Sequence, residues 1–420
     1  MATGAASRDA ALDILRAVRT GQRFDRALDT ILPLLRDADR RLAHEIAAGV
    51  LRERTALDRR IATCLTKPRK RMPDDVRDVL RIGVYQLSYL DRVPPHAAVQ
   101  SAVDLAKERC GEQYAPFVNA VLRSVTRAHP TEGTPTTAPS NDLAQRFSHP
   151  EWLVDRWIAR FGHADTELLL RHNNTPPKLV IQPARWTAAT LQSALAAAGI
   201  DHQPGPMGYG FSVGPTRVRD LPGYLEGGFI VQDSAQRRLV DYIAAPSGAR
   251  VWDACAAPGG KTAVLAQSCT VVASDRSRAR LHRLHTNLGR AAPGAHTVCA
   301  DARFPPVKPG EIDITVIDAP CSGTGTIARH PDARWRLSPE SISELVRRQA
   351  ELLEAATAAV FPGRLLVYLT CSLEADENEQ QVDGFLDHHR DFGRETEDLF
   401  VYPWTSGSDG GFGARLRRAA

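Results

Sequence analysis

One stretch of this 420-residue chain limits its fold more than any other: Val251-Trp-Asp-Ala-Cys-Ala-Ala-Pro-Gly-Gly-Lys-Thr262. The apolar run Ala249–Ala254 predicts a buried strand. Pro258-Gly-Gly260 predicts a turn, and Lys261, Thr262 and Val264-Leu-Ala266 predict the start of a helix. Strand, glycine turn and helix is how an open α/β sheet offers backbone N–H groups and a helix N-terminus to a ligand. Glycine has no Cβ, so the backbone can come close. Two familiar phosphate loops do not fit. A Walker loop ending in Gly260-Lys261-Thr262 needs glycine at 255, which is Cys255, and adjacent glycines break the G-x-G-x-x-G fingerprint. A nucleoside-like ligand remains.

Two further buried strands are predicted downstream. Ile312-Asp-Ile-Thr-Val-Ile-Asp318 runs into Ala319-Pro-Cys321-Ser-Gly-Thr-Gly325, and Arg364-Leu-Leu-Val-Tyr-Leu-Thr370 runs into Cys371-Ser-Leu373. Each sets a cysteine just past the carboxyl end of a strand, where open α/β sheets keep their chemistry. Asp275 closes the predicted strand Thr270–Ser274, 22 residues after Asp253. An acid at that spacing is placed to accept from ribose hydroxyls, with helix capping as the alternative.

The blocks Cys-Ala-Ala-Pro-Gly-Gly-Lys, Asp-Ala-Pro-Cys-Ser-Gly-Thr-Gly and Thr-Cys-Ser, in this order and spacing, resemble the Sun/Fmu family of RNA cytosine-5 methyltransferases. The resemblance implies S-adenosylmethionine as cofactor, S-adenosylhomocysteine as its product, and no metal. It implies a cofactor site of Cys255, Ala256, Ala257, Pro258, Gly259, Gly260, Lys261, Asp275, Arg280, Asp301 and Asp318, with Asp301 at the adenine edge. Lys261 reads either as charge for the methionine carboxylate or as a solvated first-turn residue.

Carbon 5 of cytosine is a poor nucleophile, and a thiolate adding to carbon 6 turns it into an enamine that can attack a sulfonium methyl. By the same resemblance Cys371 is the attacking residue, Cys321 assists release, and Asp318 hydrogen-bonds the base at ring nitrogen 3. A sulfur at a strand end beside a glycine-rich loop is expected to favour the thiolate. Arg329-His-Pro-Asp-Ala-Arg-Trp335 matches the family's Arg-His-Pro-Asp block. Arg329, His330, Arg334 and Trp335 are expected to grip phosphate and stack on a base. Glu377 and Asn378 divide between helix capping and catalysis.

An apolar content of 43% and a charged content of 24% fit a soluble globular protein. No run reaches the roughly 18 apolar residues of a membrane helix. Met1–Asp9 has no signal-peptide core, so a cytoplasmic location without membrane contact is expected. The seven cysteines show no C-x-x-C spacing, which argues against zinc, and a reducing compartment argues against disulfides. Cys269 and Cys299 are expected to be buried and inert. Residues 1–130 hold 23 Lys+Arg against 16 Asp+Glu, a net +7, and the remainder holds 30 against 33, a net −3. A basic first third suggests a grip on a polyanion, with an ordinary solvated surface as the alternative.

Residues 8–128 predict helices throughout. Ile14, Leu15 and Val18 share a face, as do Ile46 and Val50, then Val76, Val79, Leu80, Gly83, Val84 and Leu87, and Val118, Val121, Leu122 and Val125. The basic stretches are Arg52–Arg60 and Lys67–Arg71. Val76–Gln86, Asp91–Ala98 and Phe117–Arg123 resemble the NusB-like module, which implies RNA binding. His129–Asp142, rich in Pro and Thr, reads as a linker. Trp152 and Trp157 lie on a helix over 150–172 and are expected to fill a core. Residues 178–231 read as a small α/β piece, in which Val180-Ile-Gln182 replaces the family's Arg-x-Asn.

The expected architecture is therefore an α/β class I methyltransferase, a Rossmann-like doubly wound parallel sheet, preceded by an all-α NusB-like bundle and a small α/β RNA-binding subdomain. The expected boundaries are 1–128 for the bundle, 129–142 for the linker, 143–233 for the extension and 234–420 for the methyltransferase domain. The expected activity is methylation of carbon 5 of a cytosine in 16S (small-subunit) rRNA by a monomer. Transfer RNA as substrate is one alternative, and a non-enzymatic antitermination factor is the other.

Overall fold

The computed structural model describes residues 4–65, 72–127 and 139–420, which form two compact units. The first takes the chain up to Thr175 together with Ile327–Arg336. The second takes Pro176–Thr326 and Leu337–Ala420.

The first unit is helical: α1 (Ala5–Arg19), α2 (Phe24–Ile31), α3 (Asp37–Arg52), α4 (Arg54–Thr63), α5 (Asp74–Tyr89), α6 (Pro95–Cys110), α7 (Ala115–Arg127), α8 (Pro139–Arg146) and α9 (Glu151–Asn174). Its core takes Ile14, Leu15 and Val18 from α1, Ile46 and Val50 from α3, Val79, Leu80 and Val84 from α5, and Val118, Leu122 and Val125 from α7. These are the faces that the helical spacing predicted. Helices α3 and α5 meet at Gly49, where a Cβ would lie 1.9 Å from the Tyr85 ring. Trp157 on α9 is fully buried.

Two expectations change here. Helix α8 begins at Pro139, inside the expected linker, because proline suits a first helical turn and Asp142 adds an acid there. The rest of that linker, from 129 to 138, lies outside the described residues, as does the basic cluster 67–71. The stretch Arg52–Arg60 is not an open basic patch. Arg52 is buried and donates to the Ala328 carbonyl at 3.1 Å, and Arg60 donates to Ser88 Oγ at 2.7 Å.

The second unit opens with β1 (Leu179–Pro183), α10 (Ala188–Ala197), β2 (His202–Pro204), β3 (Phe211–Val213) and β4 (Phe229–Val231). The four strands form an antiparallel sheet in the order β2-β3-β1-β4, covered by Leu191 and Leu195 of α10. Gln182 turns inward, donating to the Gln232 carbonyl at 3.3 Å.

Next come α11 (Ser234–Ile243), β5 (Arg250–Asp253), α12 (Gly260–Leu265), β6 (Thr270–Asp275), α13 (Arg278–Ala291), β7 (His296–Cys299) and β8 (Ile314–Asp318). After them come α14 (Ala333–Arg336, in the first unit), α15 (Pro339–Ala356), β9 (Leu365–Thr370), α16 (Glu379–His388), β10 (Phe392–Arg394), β11 (Leu399–Val401), α17 (Pro403–Ser406) and β12 (Gly411–Arg418). The large sheet runs β10-β12-β9-β8-β5-β6-β7, with β11 also on β12. Strand β9 alternates: Leu365, Val367 and Leu369 face the core shared with α11 to α13, while Leu366 and Tyr368 face the one shared with α15 and α16. Both faces are covered, as a doubly wound sheet requires.

The sheet is not wholly parallel as expected. Strands β5 to β9 are, but β12 runs antiparallel to β9, β10 and β11. A parallel return needs a crossover of a dozen or more residues, usually helical. After β10 the chain offers only the four-residue α17.

Candidate active site

Parallel pairing brings the carboxyl ends of β5, β6 and β8 to one edge of the sheet. Asp253 stands beside Ala273 and Val316, and Asp275 and Asp318 end their strands close by. The chain leaves β5 through the predicted turn. Gly259 has φ 103, the left-handed region that favours glycine, and a Cβ there would lie 2.7 Å from Leu284.

Lys261 is not a solvated first-turn residue. It is buried, donates to Gln236 Oε1, and lies 2.7 Å from Asp318 Oδ2. Burial alone would lower its pKa, but the Asp318 charge and hydrogen bond leave it raised. Asp253 is fully buried. Its Oδ2 accepts from Thr262 Oγ1 at 2.6 Å, and Oδ1 has no hydrogen-bond partner among the described residues. Burial pushes this carboxyl up to about 7.

Asp275 Oδ1 accepts from the Ser277 amide at 2.9 Å, but the N-cap of α13 is Ser277. Asp275 Oδ2 is buried without a hydrogen bond. Arg280 Nη2 lies 3.3 Å away and directs its hydrogen bond to the Ala257 carbonyl. Neither Asp253 Oδ1 nor Asp275 Oδ2 accepts a hydrogen bond among the described residues, and both are acceptors suited to the hydroxyl or amine groups of a nucleoside ligand. Asp301 is ion-paired with Arg303 at 2.8 Å, which holds its carboxyl below the usual range. Burial pushes the Cys255 thiol up to about 12, so it is inert. Cys299 is exposed and Cys269 half-buried, not buried as expected.

The two cysteines singled out from the sequence come together. Asp318 pairs with Leu369 across β8 and β9, and Cys321 Sγ lies 3.3 Å from Cys371 Sγ. Their loops are stitched by the Gly325 amide on the Cys371 carbonyl at 3.0 Å and the Leu373 amide on Thr324 Oγ1 at 2.9 Å. The expectation that either sulfur favours a thiolate fails for Cys321. Its hydrogen bond with Cys371, burial and the charge of Cys371 all push the Cys321 thiol well up. Two negative sulfurs in contact repel, so the pair does not carry two thiolates at once.

The expected RNA clamp is built differently. Arg334 is fully buried in the first unit, where it donates to Asn174 Oδ1 at 2.6 Å, the Asn173 carbonyl at 3.0 Å and the Ser148 carbonyl at 3.3 Å. Trp335 Nε1 donates to the Leu51 carbonyl at 2.7 Å, and the Arg54 guanidinium lies 5.0 Å from the centre of its ring. With no exposed surface and its Nη groups turned to protein oxygens, this guanidinium is out of a phosphate's reach. Sequence reasoning also missed Gln349, and left undecided Glu377, which contacts the residues following both cysteines.

Known proteins match along most of the chain. Ribosomal RNA small subunit methyltransferase B of Vibrio cholerae is 35% identical over 390 residues, 91% of this chain and 89% of its own. The chain belongs to the small-subunit ribosomal RNA methyltransferase B family. A probable methyltransferase B of Synechocystis sp. is 33% identical over 415 residues, 95% and 92% of the two chains. The family profile described as 16S rRNA methyltransferase RsmB/F matches residues 241–416, the NusB family residues 5–127, and the RsmF/B-like ferredoxin-like domain residues 149–210. The Sun/Fmu and NusB resemblances are thus borne out. Among solved structures, one described as PH0851 superposes with a TM-score of 0.82 at 22% identity over all of both chains. A methyltransferase homolog from Pyrococcus horikoshii superposes with 0.57 at 23% identity, over 67% of this chain and 100% of its own. At these identities the likeness shows the fold alone.

Proposed function

We propose that this protein transfers a methyl group from S-adenosylmethionine to carbon 5 of one cytosine in 16S rRNA, through a covalent bond between Cys371 and the base. The observation that carries this reading is the thiol pair at 3.3 Å on neighbouring strand ends, beside the glycine turn. Family membership supports the choice of small-subunit rRNA.

Bound S-adenosylmethionine supplies an electrophilic methyl group. Asp275 Oδ2, which accepts no hydrogen bond among the described residues, would take the ribose hydroxyls, and the backbone of Cys255 to Gly260 would wall the cofactor. Cys371, as thiolate, bonds to carbon 6, and carbon 5 then accepts the methyl group. Asp318 holds the base at ring nitrogen 3, a hydrogen bond that requires a proton on the ring or on the acid, with Lys261 behind it. While Cys371 is a thiolate it keeps Cys321 protonated. Once its sulfur is bonded to carbon that repulsion is gone, only burial and the Glu377 charge still oppose ionisation, and Cys321 gives its proton to solvent. The Cys321 thiolate then takes the proton from carbon 5. The C–H pair closes the carbon 5–carbon 6 double bond, and the S–C pair returns to Cys371. One proton is released per methyl transferred, and both thiols regain their starting states.

The test is methyl transfer from labelled S-adenosylmethionine to unmodified 16S rRNA. Wild type should label cytosine carbon 5, Cys371→Ala should not, and Cys321→Ala should accumulate a covalent RNA adduct. Label on transfer RNA and none on rRNA would overturn the substrate. No label on any RNA would leave a binding factor.

A further inference from the structure

We infer that Glu377 is a positioning residue that sets the separation of the two thiols by holding both cysteine loops on one carboxylate. This rests on the covalent roles proposed for Cys371 and Cys321.

Glu377 is fully buried. Its Oε1 accepts from the Ser322 amide at 2.9 Å and from Gln349 Nε2 at 3.0 Å. Its Oε2 accepts from the hydroxyls of Ser322 and Ser372. Ser322 directly follows Cys321, and Ser372 directly follows Cys371. Gln349, itself fully buried on α15, also donates to the Pro320 carbonyl at 3.0 Å, on the other side of Cys321. The Glu377 backbone is fixed in turn, since Tyr368 donates its hydroxyl to the Glu377 carbonyl at 2.8 Å.

Four donors converge on this side chain, and a carboxylate accepts from all of them as they stand. Hydrogen bonds to a charged acceptor are about twice as strong as neutral ones. The same four donors offset part of the cost of burial, which still pushes the Glu377 carboxyl up. Neither reading offered by the sequence survives. None of these donors is an N–H group of α16, so Glu377 does not cap it. With both oxygens saturated and no exposed surface, Glu377 touches no substrate.

The purpose lies in the geometry of release. Cys371 is bonded to carbon 6 while Cys321 takes the proton from the adjacent carbon, so both sulfurs must reach neighbouring atoms of one ring. A misplacement of about 1 Å is enough to cost on the order of 100-fold in rate. In Glu377→Gln the amide oxygen can face the Ser322 amide and Gln349, while its NH2 faces two hydroxyls that turn to accept. The clamp survives without the charge. In Glu377→Ala it is gone.

The experiment uses the full-length protein, 16S rRNA and labelled S-adenosylmethionine, with Cys321→Ala as the adduct reference. Glu377→Ala should lower kcat about 100-fold with KM for S-adenosylmethionine unchanged. It should also accumulate the covalent RNA adduct although both cysteines are present. A misfolded enzyme would form no adduct. Glu377→Gln should regain most of the turnover. Wild-type turnover in Glu377→Ala, or slow turnover without adduct while Cys321→Ala traps it, overturns the clamp. So does a Glu377→Gln as slow as the alanine variant. If Glu377→Ala does not fold, Ser322→Ala/Ser372→Ala loosens both loops with the carboxylate in place, and its failure to trap adduct counts against the inference. If Cys321→Ala traps nothing, the covalent reading falls, and the kcat-against-KM split with glutamine rescue decides the clamp alone.

Discussion

Lys261 Nζ lies 2.7 Å from Asp318 Oδ2, so the helix after the glycine turn is tied to the end of the strand that leads to Cys321. Removing one partner leaves the other charge half-satisfied in a mostly buried setting. Lys261→Ala and Asp318→Asn should each destabilise the second unit and weaken cofactor binding. The double variant should lose less than the sum, with a coupling of about 1–3 kcal/mol. Denaturant unfolding of the four proteins measures it, and additive losses would show that the pair is not coupled.

Asp275→Ala separates a ligand role from a structural one. Ser277 already caps α13, so the helix should keep its stability. Loss of the acceptor for two ribose hydroxyls should weaken S-adenosylmethionine binding by about 10- to 100-fold. Isothermal titration reads this directly. An unchanged Kd would leave Asp275 as a turn residue only.

Arg334→Met should destabilise the first unit by about 2–4 kcal/mol, because the oxygens of Asn174, Asn173 and Ser148 lose their donor inside a packed core. Lysine should not rescue it, since a point charge cannot replace a planar fork. RNA affinity measured well below the melting temperature should stay within a few-fold of wild type. A residue that gripped phosphate would show the reverse, weaker binding at unchanged stability.

Asp253 carries a pH signature. Its carboxyl titrates near 4 in the unfolded chain and about 7 in the fold, so the folded form binds the proton more tightly. No penalty exists below pH 4. It grows between pH 4 and 7 by at most about 1.4 kcal/mol per pH unit, and it is constant above. The stability of Asp253→Asn relative to wild type, without ligand, should rise across that window and then level off. A difference that does not change with pH would show that the carboxyl ionises freely.

Local patterns carried most of the reading. The glycine turn, the strand ends bearing Asp275, Cys321 and Cys371, and the helical faces around Val79 and Val118 are each set by a dozen neighbouring residues. What failed depended on distant partners. Nothing near Arg334 announces that Ser148, Asn173 and Asn174 enclose it, and a surface motif of the same composition would read identically. For Lys261 the sequence left a ligand-facing charge and a solvated position equally open, because its partner lies 57 residues away. Glu377 stood next to a helix start, and that local context masked its link to Ser322 and Gln349.

Segment Ile327–Arg336 counts with the helices while its chain neighbours on both sides count with the sheet, so the backbone passes from one unit to the other after Thr175, Thr326 and Arg336. The two units are therefore not separable beads on a string. A recombination event that exchanged only the first 175 residues between relatives would part Arg334 and Trp335 from the carbonyl oxygens that receive them. Any such exchange that keeps the fold must also carry a ten-residue insert encoded far downstream.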